Sequence, residues 1–438
     1  MVYGRRLCSR RSTMGPSAVG DALDVLVVQH PGGQLTSTAW HVVFSASRAH
    51  GGRVRLWVNS SEVQGTAMYA RVGRPAVFAN SLAQDEQHCE QPSASAPPQS
   101  ILHQLVNAGI LTSGRNEVVY ELCANGGGCV TAFLYLWASS TPVVVFDVDG
   151  TVTQADVVGH FGQAMGLSFT HRGVCEFACH IHSRGYGVMF LSARPLCGPT
   201  GIERTRRFLF DMSHDESSGF SMPYGPVFTT SHTSTVAALI DEMTKVSAQF
   251  KTATLRMIAA LFAQFVGQYV DDETRTVGAH EGSDTPELLH RATDGAEGVP
   301  ATDATAANSV AGLYAGFGNR SKDATAYMAA GINASRIFII DERSKIMRWS
   351  TQSSVPIGQH SLSMACTPVI ATVAAPTSCK WQSYSGMLES LAQEFPLRCQ
   401  ATNARHILEE HIADATERVT SSGAPRRNPC SCLRDTLL

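Results

Sequence analysis

The chain has 438 residues, of which 44% are hydrophobic and 16% are charged, and its formal net charge is −3. That length allows about two or three domains of the usual size. The apolar fraction excludes a wholly disordered chain, and the nearly neutral charge argues against a dedicated nucleic-acid binder, which normally has a strongly basic domain. The twelve cysteines include no CxxC pair, so we expect reduced, mostly buried thiols rather than a zinc ribbon.

The first 20 residues form a basic arm without the apolar core of a secretory signal. Its arginines that could attract anionic lipid are Arg5, Arg6, Arg10 and Arg11. Farther along, residues 123–146 carry no charge and could be mistaken for a membrane-spanning helix. Turn residues at 139–142 divide this stretch into two runs rich in β-branched and aromatic side chains, so two strands are the better interpretation. No integral membrane anchor is therefore predicted.

Residues 21–140 are predicted to form a β-sandwich. Short apolar runs punctuated by Gly and Pro recur along residues 21–82 with the spacing typical of such sheets. Residues 83–99 are a polar linker rich in Pro and Ser. Two further strands within residues 100–140 are expected to return to the same sandwich.

From residue 141 onwards, strands alternate with helices, which predicts a parallel α/β domain over residues 141–396. The runs VVVF and GVMFLSA have the continuous apolar character of strands buried on both faces. Residues 268–308 are acidic and rich in Ala, Thr and Gly, which predicts a disordered insertion. Residues 397–438 are predicted to form one helix and a disordered tail.

The sequence DVDGT, which begins at Asp147, follows the first of these buried strands. Burying two carboxylates at the end of such a strand costs free energy, so a neutralising cation or a catalytic role is expected there. Asp147 could attack phosphorus to form an aspartyl phosphate, while Asp149 could protonate the leaving oxygen and later deprotonate water. The same five residues would also fit a polar turn after a strand.

Three downstream features strengthen the chemical interpretation. Ser192 ends the next buried strand, Lys251 follows a helical stretch, and Asn319 and Asp323 lie in a turn after a strand-like run. Singly, each also fits a structural role, but their order is similar to the four motifs of the haloacid dehalogenase phosphatases. Four nearby histidines lack the spacing of a metal-ligand pair and are assigned to packing or the surface: His160, His171, His180 and His182.

Longer segments resemble the lipin family of Mg²⁺-dependent phosphatidate phosphatases. They are FDVDGTVTQADVVGH, FTHRGV, GYGVMFLSARPLCGPTGIERTRRFL, MPYGPVF, QFKTATLRMI, YAGFGNRSKDATAY and SYSGMLESLAQEFP, in the family's order. The segment ALDVLVVQHPGGQLTSTAWHVVFSA is similar to the family's amino-terminal block, and NEVVYEL and FLYLW are similar to the strands that precede its catalytic domain. The resemblance implies a Rossmann-like haloacid dehalogenase domain and an immunoglobulin-like sandwich assembled from residues 21–140.

The resemblance also implies a role for each motif residue. Asp147 would be the nucleophile and a Mg²⁺ ligand, and Asp149 the general acid and base with its backbone carbonyl on the metal. Asn319 would be the third protein ligand, with Asp323 in support. The phosphate would be held by Thr151, Ser192 and Lys251.

The implied activity is hydrolysis of phosphatidic acid to diacylglycerol and phosphate, in glycerolipid synthesis. A cytosolic enzyme associated peripherally with the endoplasmic reticulum or nuclear envelope would be expected, with phosphatidic acid in membranes as its partner and no nucleic acid. Residues 1–20 lack the apolar face of the amphipathic helix with which lipins usually begin. Two alternatives stay open: a non-catalytic phosphatidate sensor that binds membranes, and a soluble phosphatase of the same superfamily.

Overall fold

The computed structural model describes residues 20–45, 51–71, 74–79, 96–123, 128–154, 170–198, 200–213, 215, 218–230, 240–263, 312–349 and 379–398. The strands of these residues form two sheets, one of ten strands and one of seven. The basic arm, most of the polar linker, the acidic insertion and the helix expected near residue 410 lie outside the described residues.

The ten-stranded sheet is built from residues 20–138 and curls around its own core. Its order is β1-β4-β8-β7-β5-β9-β10-β2-β3, with β6 paired to β5. The strands are β1 (Gly20–Ala22), β2 (Val25–Gln29), β3 (Leu35–Ser37), β4 (Val42–Phe44), β5 (Arg53–Val58), β6 (Ser61–Glu62), β7 (Met68–Arg71), β8 (Arg74–Phe78), β9 (Gly114–Leu122) and β10 (Cys129–Ala138). In β5, Val54, Leu56 and Val58 are buried while their neighbours are not, as expected for a strand with one face on the core.

A helix lies where only returning strands were expected. Helix α1 (Gln99–Asn107) begins at the end of the polar linker and precedes β9. It buries Ile101, Leu102 and Leu105, which share one face at helical spacing, against the core of the curled sheet. The stretch was missed because a helix of this length shows barely two turns of periodicity.

The seven-stranded sheet has the order β13-β12-β11-β14-β15-β16-β17. Its strands are β11 (Val143–Asp147), β12 (Gly187–Pro195), β13 (Val227–Thr230), β14 (Leu313–Gly318), β15 (Ile337–Ile340), β16 (Ile346–Arg348) and β17 (Cys379–Trp381). The first five in the spatial order are parallel, and β16 and β17 continue the sheet antiparallel. The parallel α/β architecture expected from residue 141 onwards is therefore present.

Helices separate these strands along the chain. They are α2 (Val174–Ser183), α3 (Ile202–Arg207), which continues as a π-helical turn (Phe208–Met212), α4 (Ile240–Ala263), α5 (Ser321–Ala329), α6 (Tyr384–Leu388) and α7 (Leu391–Glu394). Lys251 was expected to follow a helix, but it lies inside α4, which runs on to Ala263. The helix expected near residue 160 lies outside the described residues.

The two sheets share a core. Strand β2 pairs in parallel with β10, so the amino-terminal segment and the strand before β11 are neighbours. From this pair, Leu26, Val28 and Tyr135 pack in one buried cluster with Val145 of β11 and Phe262 of α4. The ten-stranded sheet is thereby fixed against the back of the parallel sheet.

A buried ion pair crosses the same junction. Asp24, between β1 and β2, is fully buried and accepts hydrogen bonds from Phe133 N at 3.0 Å and Val227 N at 2.8 Å. Arg206 of α3 donates to Asp24 Oδ1 at 2.7 Å. One carboxylate therefore ties together the curled sheet, the edge of the parallel sheet and a helix.

The uncharged stretch at residues 123–146 contains β10 and the first four residues of β11, so the two-strand interpretation is confirmed. No helix within the described ranges is long and apolar enough to cross a membrane. Five described cysteines are free thiols, and Cys175 and Cys179 on α2 are buried.

Candidate active site

The site forms at the carboxyl ends of the parallel strands. Asp147 is the last residue of β11, which lies between β12 and β14 near the middle of the sheet. From β11 the chain passes to β12 on one side, and β14, which follows later in the chain, lies on the other side. The connections therefore leave β11 in opposite directions, and a crevice lies between them. Ligands of open α/β sheets bind at such a position.

A buried lysine bridges two buried carboxylates at this point. Lys251 Nζ donates to Asp147 Oδ1 and to Asp323 Oδ1, each at 2.7 Å. Burial raises the pKa of Asp147, and the ammonium of Lys251 opposes that shift. Burial also disfavours the charged form of Lys251, but the two carboxylates outweigh it and hold the lysine pKa above its usual value. The cluster is therefore a carboxylate pair sharing one permanent cation.

Asp323 holds the turn that carries Asn319. It lies in the first turn of α5, and its Oδ2 accepts hydrogen bonds from Asn319 N at 3.2 Å and Arg320 N at 3.0 Å. A Cβ atom on Gly318 would lie 2.5 Å from the Cβ of Asp323, so only glycine allows this close approach. Asp323 thus supports the turn and pairs with Lys251 through different oxygens.

Asp149 is held by a second set of side chains, from β12. Ser192 Oγ donates to Asp149 Oδ2 at 3.2 Å, and Arg194 Nη2 donates to Asp149 Oδ1 at 2.7 Å. The Arg194 backbone N–H in turn donates to Ser192 Oγ at 3.2 Å. Arg194 was not among the residues expected at the site, although the run SAR that contains it was recognised. The carboxylate of Asp149 is less buried than that of Asp147, with 23% of its side chain exposed.

The loop from Asp149 to Thr153 is fixed mainly through its backbone. Gly150 has a φ of 80°, and its N–H donates to Thr153 Oγ1 at 2.9 Å. Tyr384 of α6 donates its hydroxyl to the carbonyl of Thr151 at 3.1 Å. Thr151 Oγ1 is buried and finds no hydrogen-bond partner among the described residues. Because orphaned buried hydroxyls are rare, this atom fits a ligand oxygen.

An open cleft of about 520 Å³ adjoins the loop. Gly150, Asn319 and Asp341 are among the less exposed residues that line it. Its exposed lining residues, Arg320, Glu342 and Arg343, are called the outer cleft. The structure therefore places the expected residues in two neighbouring groups, Asp147 with Lys251 and Asp323, and Asp149 with Ser192, with Thr151 on the loop and Asn319 in the cleft.

Oxygen atoms of three residues at the site are of the kind that Mg²⁺ prefers. In the part of the chain that the structure describes, no three His, Cys, Asp or Glu side chains surround a common point. Mg²⁺ is usually bound by one or two carboxylates together with waters and substrate phosphates. Asp147, the carbonyl of Asp149 and the amide of Asn319 would supply such a set.

The fold and the site define an α/β protein with a cluster of charged side chains at the carboxyl ends of its parallel strands. A buried carboxylate, a second and less buried carboxylate and a fixed cation are the groups that nucleophilic attack on a phosphate ester requires. The protein-family model described as LNS2 (Lipin/Ned1/Smp2) matches residues 99–277 and 304–360. These residues are more than half of the chain, so the protein belongs to this family.

Named relatives share this part of the chain. Phosphatidic acid phosphohydrolase 1 of Saccharomyces cerevisiae is 30% identical over 236 residues, which are 54% of this chain and 23% of that protein. Nuclear elongation and deformation protein 1 of Schizosaccharomyces pombe is 29% identical over 237 residues, 54% of this chain and 28% of that protein. Phosphatidate phosphatase LPIN3 of Homo sapiens is 29% identical over 241 residues, 54% of this chain and 22% of that protein. The chain thus matches about a quarter of the length of each relative.

Proposed function

We propose that the protein is a phosphatidate phosphatase, which hydrolyses phosphatidic acid to diacylglycerol and inorganic phosphate. The observation that carries this proposal is the complete cluster of Asp147, Lys251 and Asp323 beside Asp149, in a chain that belongs to the lipin family. Relatives named phosphatidate phosphatase in Arabidopsis thaliana and Homo sapiens support the choice of substrate.

In the proposed first step, a carboxylate oxygen of Asp147 attacks phosphorus and the bond from phosphorus to the glycerol oxygen breaks. Protonated Asp149 gives its proton to that oxygen, so diacylglycerol leaves as an alcohol and Asp147 becomes an aspartyl phosphate. In the second step, Asp149 takes a proton from water as the water oxygen attacks phosphorus. The bond to Asp147 then breaks, phosphate leaves and both aspartates return to their starting states.

The remaining residues of the site would hold the phosphoryl group. Lys251 lies 2.7 Å from Asp147 and places a positive charge beside the phosphoryl oxygens. Thr151 has an unsatisfied buried hydroxyl, and Ser192 has a hydroxyl within the group around Asp149. Mg²⁺ bound by Asp147, the Asp149 carbonyl and Asn319 would supply charge neutralisation at the phosphoryl oxygens.

We also propose the finer fold assignments. The parallel sheet would be the haloacid dehalogenase core of residues 141–396, and the curled sheet would be the immunoglobulin-like unit of residues 21–140. The family match begins at residue 99, so the likeness of residues 21–82 to the amino-terminal lipin block stays a prediction.

Association with a membrane surface follows from the proposed substrate. Arg320, Lys322 and Arg343 are exposed; Arg320 and Arg343 line the outer cleft, and Lys322 lies in the first turn of α5 beside Arg320. Such basic side chains each contribute about 1 kcal/mol of attraction near an anionic bilayer. We therefore propose a cytosolic protein that binds peripherally to the endoplasmic reticulum or nuclear envelope.

The test is Mg²⁺-dependent phosphate release from phosphatidate in mixed micelles. Asp147→Ala and Asp149→Ala should each abolish release, whereas Asp211→Ala, an exposed aspartate on the π-helical turn, should not. Activity that survives either of the first two changes would refute the mechanism. Binding of phosphatidate without turnover would favour a lipid sensor, and faster hydrolysis of soluble phosphate esters would favour a soluble phosphatase.

A further inference from the structure

His171 connects the loop of Asp149 with a hairpin that lines the cleft. It lies between β11 and α2 and is fully buried. Its Nε2 is 3.4 Å from the carbonyl oxygen of Gly150, and its Nδ1 is 2.8 Å from Ser344 Oγ. This histidine was assigned to packing or the surface, and it contacts both the loop of Asp149 and the hairpin.

The two contacts require one protonation pattern of the ring. The Gly150 carbonyl can only accept a hydrogen bond, so Nε2 must carry the proton. Burial lowers the pKa of His171, which favours the neutral ring, and Nδ1 is then an acceptor for the Ser344 hydroxyl. Ser344 therefore donates a hydrogen bond to His171, and His171 donates one to Gly150.

Ser344 is held in place by its own turn. Its φ is 68°, in the left-handed region that few serines adopt. The turn connects β15 with β16, and Asp341 Oδ1 accepts hydrogen bonds from the backbone N–H groups of Arg343 at 2.9 Å and Lys345 at 2.8 Å. Asp341 and Arg343 also line the cleft, so this turn is one wall of the proposed substrate site.

We propose that Ser344 and His171 form a hydrogen-bonded relay that positions the backbone of Asp149 and Gly150. In this relay both are positioning residues, because neither is placed to touch the phosphoryl group. The Gly150 carbonyl selects the ring tautomer, and Ser344 holds the ring in place by donating to Nδ1. The ring in turn fixes the Gly150 carbonyl and thereby the direction of Asp149. Their role in turnover rests on the proposed function, whereas the relay itself can be tested without substrate.

The first measurement is the tautomer of His171 in the full chain. Nitrogen-15 NMR of histidine-labelled protein should show a neutral ring with the proton on Nε2, assigned by loss of the signal in His171→Gln. Ser344→Gly should shift the Nδ1 resonance, because it removes the hydrogen bond to that nitrogen while glycine tolerates the left-handed backbone. A proton on Nδ1 in the wild type, or no change in Ser344→Gly, would overturn the relay.

A matched control is available for the backbone effect of this change. Ser60 is exposed and has a φ of 67°, so Ser60→Gly makes the same substitution in the same conformation away from the site. It should leave both the His171 signal and the kinetics unchanged.

The second measurement separates positioning from packing. Residues that orient a catalytic group through a hydrogen bond typically contribute about 10–100-fold to activity. We expect Ser344→Gly and His171→Asn to lower kcat by that factor with KM nearly unchanged. His171→Gln should retain more activity than His171→Asn, because its amide reaches the position of Nε2. Adding Ser344→Gly to His171→Asn should cause no further loss.

Equal losses in His171→Gln and His171→Asn, or additive losses in the double variant, would refute positioning. If phosphatidate is not hydrolysed by the wild type, the proposed function fails, but the NMR result still decides whether the relay exists.

Discussion

Arg194 holds the carboxylate of Asp149 through two nitrogens. Its Nη2 lies 2.7 Å from Oδ1, and its Nε lies 3.1 Å from Oδ2. The arginine is itself held, since Nη1 donates to Thr205 Oγ1 at 3.3 Å and its carbonyl accepts from Thr230 Oγ1 at 3.1 Å. The proposed acid and base therefore faces a fixed, planar cation.

This geometry predicts that Arg194→Lys is not conservative. Lysine has no planar fork, so at least one charge-assisted hydrogen bond of about 1.5–3 kcal/mol is lost. We expect kcat for phosphatidate to fall about 10–100-fold. Arg207→Lys, on the exposed face of α3, is the control and should retain full activity. Unchanged kcat in Arg194→Lys would show that the pair with Asp149 does not matter for turnover.

Breaking the buried ion pair of Asp24 and Arg206 is predicted to cause a large loss of folding stability. Asp24→Asn leaves Arg206, only 5% exposed, without its counter-charge. Breaking a buried pair in this way typically costs about 3–5 kcal/mol. Urea unfolding should report that loss, while Glu121→Gln, which breaks the exposed pair with Arg55, should cost less than about 1 kcal/mol. Equal losses in the two variants would contradict the prediction.

The outer cleft carries Arg320 and Arg343 beside Glu342, and its arginines predict how the protein binds lipid. Arg343→Glu should weaken co-sedimentation with vesicles rich in phosphatidate about 5- to 30-fold, since it changes two charges at about 1 kcal/mol each. The weakening should diminish at high salt because such attraction is screened. Arg74→Glu, an exposed residue of β8, makes the same charge change on the other sheet. If it weakens binding equally, the outer cleft is not the docking surface.

Two partly buried histidines predict that stability falls in mild acid. Burial lowers the pKa of His41 and of His180 to about 4, whereas a histidine in the unfolded chain titrates near ~6.5. Between these values the unfolded state binds protons that the folded state does not, so stability is full above pH ~6.5 and is lost as the pH falls. At pH 5.5 each histidine should cost about 1 kcal/mol, measurable as a lower urea midpoint than at pH 7.5. His41→Gln should reduce the difference, and a midpoint that rises in acid would contradict the argument.

Strands could be predicted from the sequence where a local run of β-branched and aromatic residues was long enough to identify them. Every run of β-branched and aromatic residues assigned as a strand, from Val25–Gln29 to Ile337–Ile340, is one. The short strands β13, β16 and β17 were not predicted. They are three or four residues long, and their pairing depends on neighbours far away in the chain.

The site was predictable to the extent that its residues lie in recognisable runs. Asp147 and Lys251 lie in two such runs and form a hydrogen bond, although 104 residues separate them. Arg194 was not singled out and His171 was assigned to packing or the surface, because their contacts depend on which carboxylate and which carbonyl the fold brings beside them. An arginine after a strand and a histidine before a helix look the same in sequence whether or not they have such neighbours.

The position of β14 has a consequence for synthesis on the ribosome. Asp323 emerges 72 residues after Lys251, which itself emerges 104 residues after Asp147. At about 5–20 residues per second, the strand that ends at Asp147 waits about 9–35 seconds for its second neighbour and for the last member of its charge cluster. During that time the edge of β11 that pairs with β14 has no partner strand from this chain.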